Sequence, residues 1–424
     1  MKIIEKFLGK NYQAFLKKFT IVFSGSSFSQ IITLATYPLL TRIFSVEQFG
    51  LFTNFFSLMV VFSVIQSLKL QHAIVTEKSE SKTFYLLIIC FILPIFNSVF
   101  LFLLYKMNFP LFRNIVDSNL LVPVIISGLL MVFYDVGYNF LAKYGLFKNL
   151  VVIKIIQNSS IVISQLFYGF SLNKNFYIPF DNGLIAGFII GQSLSLCVLF
   201  FVIYKYLSQN IKIKINYRID KFLKILSDQK KFIYFSMPAE FINSLAYYLV
   251  VYFVTANFGI FYAGLYGLSQ RIIMGPLNLI SVSMLDIFKN YSAEEMKKTN
   301  SIKKSYNLMI KILIPISLAF FVGILIFKNY SELIFGQEWR DVGRIVLILS
   351  PFYLAKFLSN PLSYTFFLLK RQEIDFSWQI GLLLGICLIF SLSSNFYSTL
   401  YIFSIFTSIY YLFNLILSYK LSKK

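Results

Sequence analysis

AGLYGLSQRIIMGP, residues 263–276, lies inside an apolar run that extends to Tyr262 on one side and to Leu277, Leu279 and Ile280 on the other. The run, 262–288, exceeds the ~20 residues a helix needs to cross a ~30 Å hydrocarbon layer. At its centre stands Arg271, whose guanidinium cannot escape burial by losing its proton. An arginine at the middle of a membrane helix costs about 2.5–3.5 kcal/mol on insertion scales, so it marks a pathway or a partner. The stretch therefore sets two expectations at once: a membrane-embedded helix, and a polar environment facing one side of it.

Outward from this run, the chain repeats the same pattern. Of its 424 residues, 58% are hydrophobic and 13% charged, against about 25% charged in a soluble domain. Twelve apolar spans are expected, at about 19–41, 50–70, 83–105, 118–141, 149–171, 183–205, 232–256, 262–288, 306–327, 342–369, 375–394 and 396–419. The runs are continuous rather than alternating, which excludes a transmembrane β-barrel. The N-terminal MKIIEKFLGKNYQAFLKKF is basic, and the long run after it has no cleavage-type exit, so it reads as a retained first span.

The net charge of +21 would suggest nucleic acid in a soluble protein, but here the charge lies between spans and no nucleic-acid partner is expected. With the N-terminus on the cytoplasmic side, the cytoplasmic segments hold 30 Lys and Arg and the opposite side 7. That bias places both termini in the cytoplasm. Two echoes point to duplication: Phe49-Gly50-Leu51-Phe52 with Phe258-Gly259-Ile260-Phe261, and FLAKYGLFKNL (140–150) with FLLKRQEIDFS (367–377). The expected organisation is an N-terminal six-helix lobe (1–205), a basic cytoplasmic linker (206–231) and a C-terminal six-helix lobe (232–424). An even number of spans per half makes the repeats parallel, the arrangement of transporters with a central cavity between rocking lobes.

No catalytic constellation is present: there is no nucleophile elbow, no Walker A loop and no Cys/His metal spacing. The chain is expected to be neither an enzyme nor a metal or cofactor binder. Cys90, Cys197 and Cys387 fall within spans and read as small core hydrophobes, not a disulfide framework; His72 lies at a span end and reads as structural or interfacial. The ionisable residues within spans are Asp135, Glu240, Arg271 and Lys356, with Lys69 near the end of the second span. At 1.5 Å per residue, Glu240 and Arg271 lie about 12–14 Å from opposite faces. Two readings stand for them: mutual neutralisation between packed helices, or an anion-binding arginine on a hydrated cavity with Glu240 holding it. An arginine fork matches phosphate oxygens, and Lys356 adds a second positive charge. Neutral polar residues thicken the same layer, among them Gln30, Asn243 and Gln270.

PLLTRIFSVEQFGLF (38–52) and HAIVTEKSE (72–80) resemble the opening of the Wzx-type oligosaccharide flippases. FLAKYGLFKNLVVIKIIQ (140–157), GLIAGFIIGQ (183–192), PAEFINSLAYYL (238–249) and FGIFYAGLYGLSQRIIMGPLNLI (258–280) are similar to later family segments, the last including the intramembrane arginine. The family shares a superfamily with the multidrug and toxin extrusion transporters and the lipid II flippase. The resemblance implies an all-α, twelve-helix bacterial inner-membrane protein. It implies a substrate of undecaprenyl-diphosphate-linked oligosaccharide carried to the outer leaflet for O-antigen or capsule. It also implies a polysaccharide polymerase and glycosyltransferases as pathway partners, and a proton or sodium ion as the coupling ion where coupling exists. On this reading Arg271 binds the diphosphate with Lys356. Gln270, Asn243 and Gln30 meet the glycan, Arg42 matches the family's Leu-Thr-Arg and lines the outer mouth, and Asp135 or Glu240 carries coupling. The first span lacks the carboxylate of many drug-extruding relatives, which disfavours a cation-coupled drug antiporter. The short outer loops disfavour a membrane polymerase.

Overall fold

The computed structural model describes residues 11–107, 118–171, 182–210, 219–230, 232–299, 301–369 and 371–423. Among them there are helices and no strands. The helices are α1 Asn11–Ile43, α2 Val46–Ser67, α3 Gln71–Thr76, α4 Glu80–Lys106, α5 Ser118–Lys143, α6 Phe147–Ser171, α7 Gly183–Asn210, α8 Ile219–Asp228, α9 Met237–Phe258, α10 Ile260–Thr299, α11 Lys303–Phe335, α12 Val342–Leu362, α13 Tyr364–Leu368, α14 Gln372–Ser391 and α15 Phe396–Ser422. Eleven helices among the described residues are long and apolar enough to cross a membrane. The expected first span falls in α1, where the side chains of 11–24 and 26 lie outside the described set. The chain is an all-helical membrane protein: in hydrocarbon a backbone can satisfy its own polar groups only as a helix or a closed barrel.

The chain divides into two compact units, one of Met1–Ala35 with Leu58–Phe241, the other of Thr36–Ser57 with Ile242–Lys424. The divisions fall inside α1, α2 and α9.

In the first unit, α6 and α7 pack most closely, and the sequence shows why. Gly183, Gly187 and Gly191 recur every four residues along α7, the small-residue stripe that lets membrane helices approach backbone to backbone. A Cβ at Gly187 would lie 2.6 Å from the Gln165 Cα, and one at Gly191 would strike the Ile161 backbone. Polar bonds run along the same seam: Ser160 Oγ donates to the Gly191 carbonyl (2.8 Å), Gln157 Nε2 to Gln192 Oε1 (2.8 Å) and Gln165 Nε2 to the Leu184 carbonyl (3.1 Å).

The 206–231 segment, expected as linker, contains α8. Its apolar positions Phe222, Ile225 and Leu226 share one face and join the buried cluster beneath it. Phe222 meets Tyr85 edge to face at 5.2 Å, and Asp228 pairs with Lys82 at 2.9 Å. The exposed ion pair contributes little; the ring supplies most of the attachment. Phe222→Ala is expected to cost up to about 3 kcal/mol locally and to raise trypsin cleavage at exposed Lys224 up to ~100-fold. Time courses of limited proteolysis measure this, and unchanged cleavage would show that α8 is held by something else.

The two sequence echoes fare differently. The breaks between α5 and α6 and between α13 and α14 correspond to within two residues at the second echo's offset. The Phe-Gly echo does not match. Gly259 has φ +93° and separates α9 from α10, whereas Gly50 lies one turn inside α2, against the Ile260 carbonyl. One dipeptide thus serves chain reversal in one place and close packing in the other. The free cysteines also differ from expectation: Cys90 is buried, but Cys197 is exposed on its helix.

Candidate functional site

In the second unit, the site is built on a glycine seam between α2 and α10. A Cβ at Gly264 would collide with the Val46 carbonyl, and one at Gly267 with Thr53 Oγ1. Asn54 and Thr255 tie α2 to α9 in both directions, Nδ2 donating to Oγ1 at 2.9 Å and Oγ1 to Oδ1 at 3.1 Å. Arg271 follows Gly267 by one turn, on the same helical face. Its guanidinium carbon therefore comes to rest 4.4 Å from the Phe52 ring centre and 5.7 Å from that of Phe56. These two rings are also one turn apart, on the facing helix.

This arrangement answers the question that Arg271 poses. A desolvated cation–π contact is worth about 2 kcal/mol, which offsets much of the insertion cost but leaves the hydrogen-bonding capacity of the fork unused. Nη1 is buried with no hydrogen-bond partner among the described residues. Among the described residues of its unit Arg271 has no ion pair; its electrostatic neighbours include the hydroxyls of Tyr37 and Tyr247. Tyr247 donates to Gln270 Oε1 at 3.0 Å, and Gln270 is 4% exposed. The result is a fixed positive charge on an aromatic platform, bordered by neutral hydroxyl and amide groups. Chemically it suits an anion with several oxygens.

Lys356, on α12, is half-buried, its Nζ 5.8 Å from the Phe352 ring. It lines a space of about 10 Å³ with Asn278, Ser281, Tyr353 and Asn360, the size of about one water. Among the described residues no carboxylate lines that space. Asn243 is exposed on α9. Arg42 ends α1, exposed, with Nη2 donating to the Leu333 carbonyl at 3.3 Å.

The first unit holds the two intramembrane carboxylates singled out in the sequence, Asp135 and Glu240. Lys69 Nζ is 3.6 Å from Glu240 Oε1, and Asp135 is in electrostatic contact with both. The backbone delivers Lys69 to this point: Leu68 and Lys69 both have positive φ, 46° and 55°, a conformation uncommon for residues with side chains. Gln30 is half-buried on α1, next to Ser29, which accepts from Asn158 Nδ2 at 2.7 Å. His72 is exposed.

The structure thus joins Arg271 with Gln270 in one unit, and Asp135 with Glu240 in the other. Sequence reasoning missed the ring platform, Tyr37 and the role of Lys69. Phe52 and Phe56 carry a signal, aromatic spacing of one turn in the span opposite, but it is faint in a chain with 50 phenylalanines.

A model of a family described as polysaccharide biosynthesis protein matches residues 39–344, a region that includes Arg271 and its platform. The chain belongs to that family. Among solved structures, the fold is similar to an inward-facing multidrug resistance MATE family transporter of the MOP superfamily. That match has a TM-score of 0.66 and 14% identity, covering 95% of this chain and 94% of that one. It is also similar to the lipid II flippase MurJ in an inward closed conformation, with a TM-score of 0.69 and 17% identity, covering 94% and 87%. At these identities the likeness is one of fold. No curated protein matches by sequence.

Proposed function

We propose that this chain is a flippase that moves undecaprenyl-diphosphate-linked oligosaccharide across the bacterial cytoplasmic membrane by alternating access, with both termini in the cytoplasm. The halves 1–205 and 232–424 are its moving parts. The observation that carries the reading is Arg271, a permanent intramembrane cation on a ring platform with an unpartnered Nη1, in a chain of the polysaccharide biosynthesis family. A diphosphate supplies the acceptor oxygens the fork lacks, with charge-assisted bonds stronger than neutral ones. Lys356 adds a second cation on the same unit, and Gln270, Asn243 and Gln30 offer hydrogen bonds to sugar hydroxyls. Asp135 and Glu240, sharing Lys69, are the groups proposed to couple transport to a proton or sodium ion. Cationic drugs, the cargo of a drug antiporter, would be repelled by Arg271 and Lys356.

The test is the leaflet location of the lipid-linked oligosaccharide in cells with and without the protein. In its absence the precursor is expected on the cytoplasmic face, and restoring the gene moves it outward. Equal crossing in both strains overturns the reading.

A further inference from the structure

A second cavity lies in the same unit, away from Arg271, where the end of α1 meets the turn between α11 and α12. It has a volume of about 490 Å³ and is lined by Thr41, Arg42, Ser45, Gln337, Glu338 and Trp339, with Phe44 and Phe335 behind them. That volume falls within the ~300–1,000 Å³ usual for small-molecule sites. The cavity lies at the C-terminal end of α1, the first span, which is the outer face under the proposed topology with a cytoplasmic N-terminus.

Its walls are fixed. The Trp339 indole is 1% exposed, donates Nε1–H to the Thr41 carbonyl at 3.0 Å and meets Phe49 edge to face at 4.8 Å. Gly336 turns the chain at φ +102°, a conformation that a side chain would strain. Ser45 and Gln48 satisfy one another's backbone groups, with Gln48 Oε1 accepting from Ser45 N at 3.0 Å.

Its chemistry differs from that of the Arg271 niche. Arg42 spends one Nη2 donor on the Leu333 carbonyl and keeps others of its five. Gln337 and Glu338 are exposed, with side chains engaged in no hydrogen bond among the described residues. Donor, acceptor and amide therefore line one cavity, and the formal charges of Arg42 and Glu338 cancel. A diphosphate would meet the Glu338 carboxylate. Sugar hydroxyls, each both donor and acceptor, meet complementary partners at Arg42, Gln337 and Glu338.

We infer that this cavity is a saccharide subsite at the outer face, taking an uncharged part of the glycan as it leaves the membrane. The inference rests on the flippase reading for its substrate class, but it concerns different residues and is tested without transport.

The experiment titrates the purified full-length chain in lipid nanodiscs with oligosaccharide released by mild acid from the cells' own lipid-linked pool. Binding is read by calorimetry and by tryptophan emission in a Trp378→Phe background, where Trp339 is the remaining tryptophan. The expected result is saturable binding, weakened at least tenfold by Arg42→Ala and by Glu338→Gln. Arg340→Ala, which alters a neighbouring charge outside the lining, leaves it unchanged. Inorganic pyrophosphate is the competing probe and is expected not to bind here. No saccharide binding by the wild type, equal binding by all variants, or pyrophosphate binding lost with Arg42→Ala would each overturn the proposal. Melting temperatures of the variants separate lost binding from lost folding. Failure here leaves the leaflet assay standing, and failure of the leaflet assay leaves this titration readable.

Discussion

Arg271→Ala and Arg271→Met are expected to abolish surface polysaccharide while the protein accumulates in the membrane at its normal level. The two outcomes separate because Arg271 contributes to function and stability with opposite signs. Removing it relieves an insertion cost of about 2.5–3.5 kcal/mol and an unpartnered buried donor at Nη1, worth about 1–3 kcal/mol. Against that, the contact with Phe52 and Phe56 is lost, about 2 kcal/mol. Methionine keeps most of the volume against the rings, so folding should be neutral or improved. Transport loses a hydrogen-bonded charge at about 1.5–3 kcal/mol per bond, or roughly 10–150-fold at 1.4 kcal/mol per decade. With two bonds from one fork, the fall passes below detection. Arg271→Lys keeps the charge but loses the planar fork, and should retain a few per cent of activity. Surface polysaccharide staining, normalised to membrane protein on immunoblots, reads all three. Full activity in Arg271→Met would end the diphosphate role and leave the arginine as packing.

The fold was largely legible because a bilayer dictates it. Hydrocarbon demands long apolar helices, so span positions appear directly as composition, and Arg271 stands out because it violates that demand. Its surroundings were not legible. The ring platform comes from a helix more than two hundred residues earlier, and nothing in Phe52 or Phe56 distinguishes them from the other phenylalanines until the glycine seam brings α2 and α10 together. Lys69 was equally hidden: its contact with Glu240 depends on two left-handed residues, Leu68 and Lys69, that no propensity would place there. Asp135 and Glu240 were legible as intramembrane carboxylates, but their sharing of one ammonium was not. The amphipathic α8 could have been read from the spacing of Phe222, Ile225 and Leu226, but it was submerged in a basic segment.

Gly264→Ala is expected to remove most of the folded protein, and Gly323→Ala to stabilise it. Both residues lie within long helices, α10 and α11, where replacing glycine by alanine ordinarily gains about 0.5–1 kcal/mol through reduced backbone entropy. At Gly323 a Cβ meets nothing within 4 Å, so the gain should appear in full. At Gly264 the Cβ would strike the Val46 carbonyl. That atom belongs to backbone, and no rotamer change can remove it. Overpacking in a well-filled core costs about 1–3 kcal/mol even where side chains can shift, and here the helices themselves must part. The parting would also carry Phe52 and Phe56 away from Arg271, because the same seam sets both contacts. Gly264→Ala should therefore lower the melting temperature in detergent and, in whatever protein survives, reduce surface polysaccharide more than the loss of protein explains. Equal melting temperatures for the two variants would mean that the close approach of α2 and α10 is not what holds the platform in place.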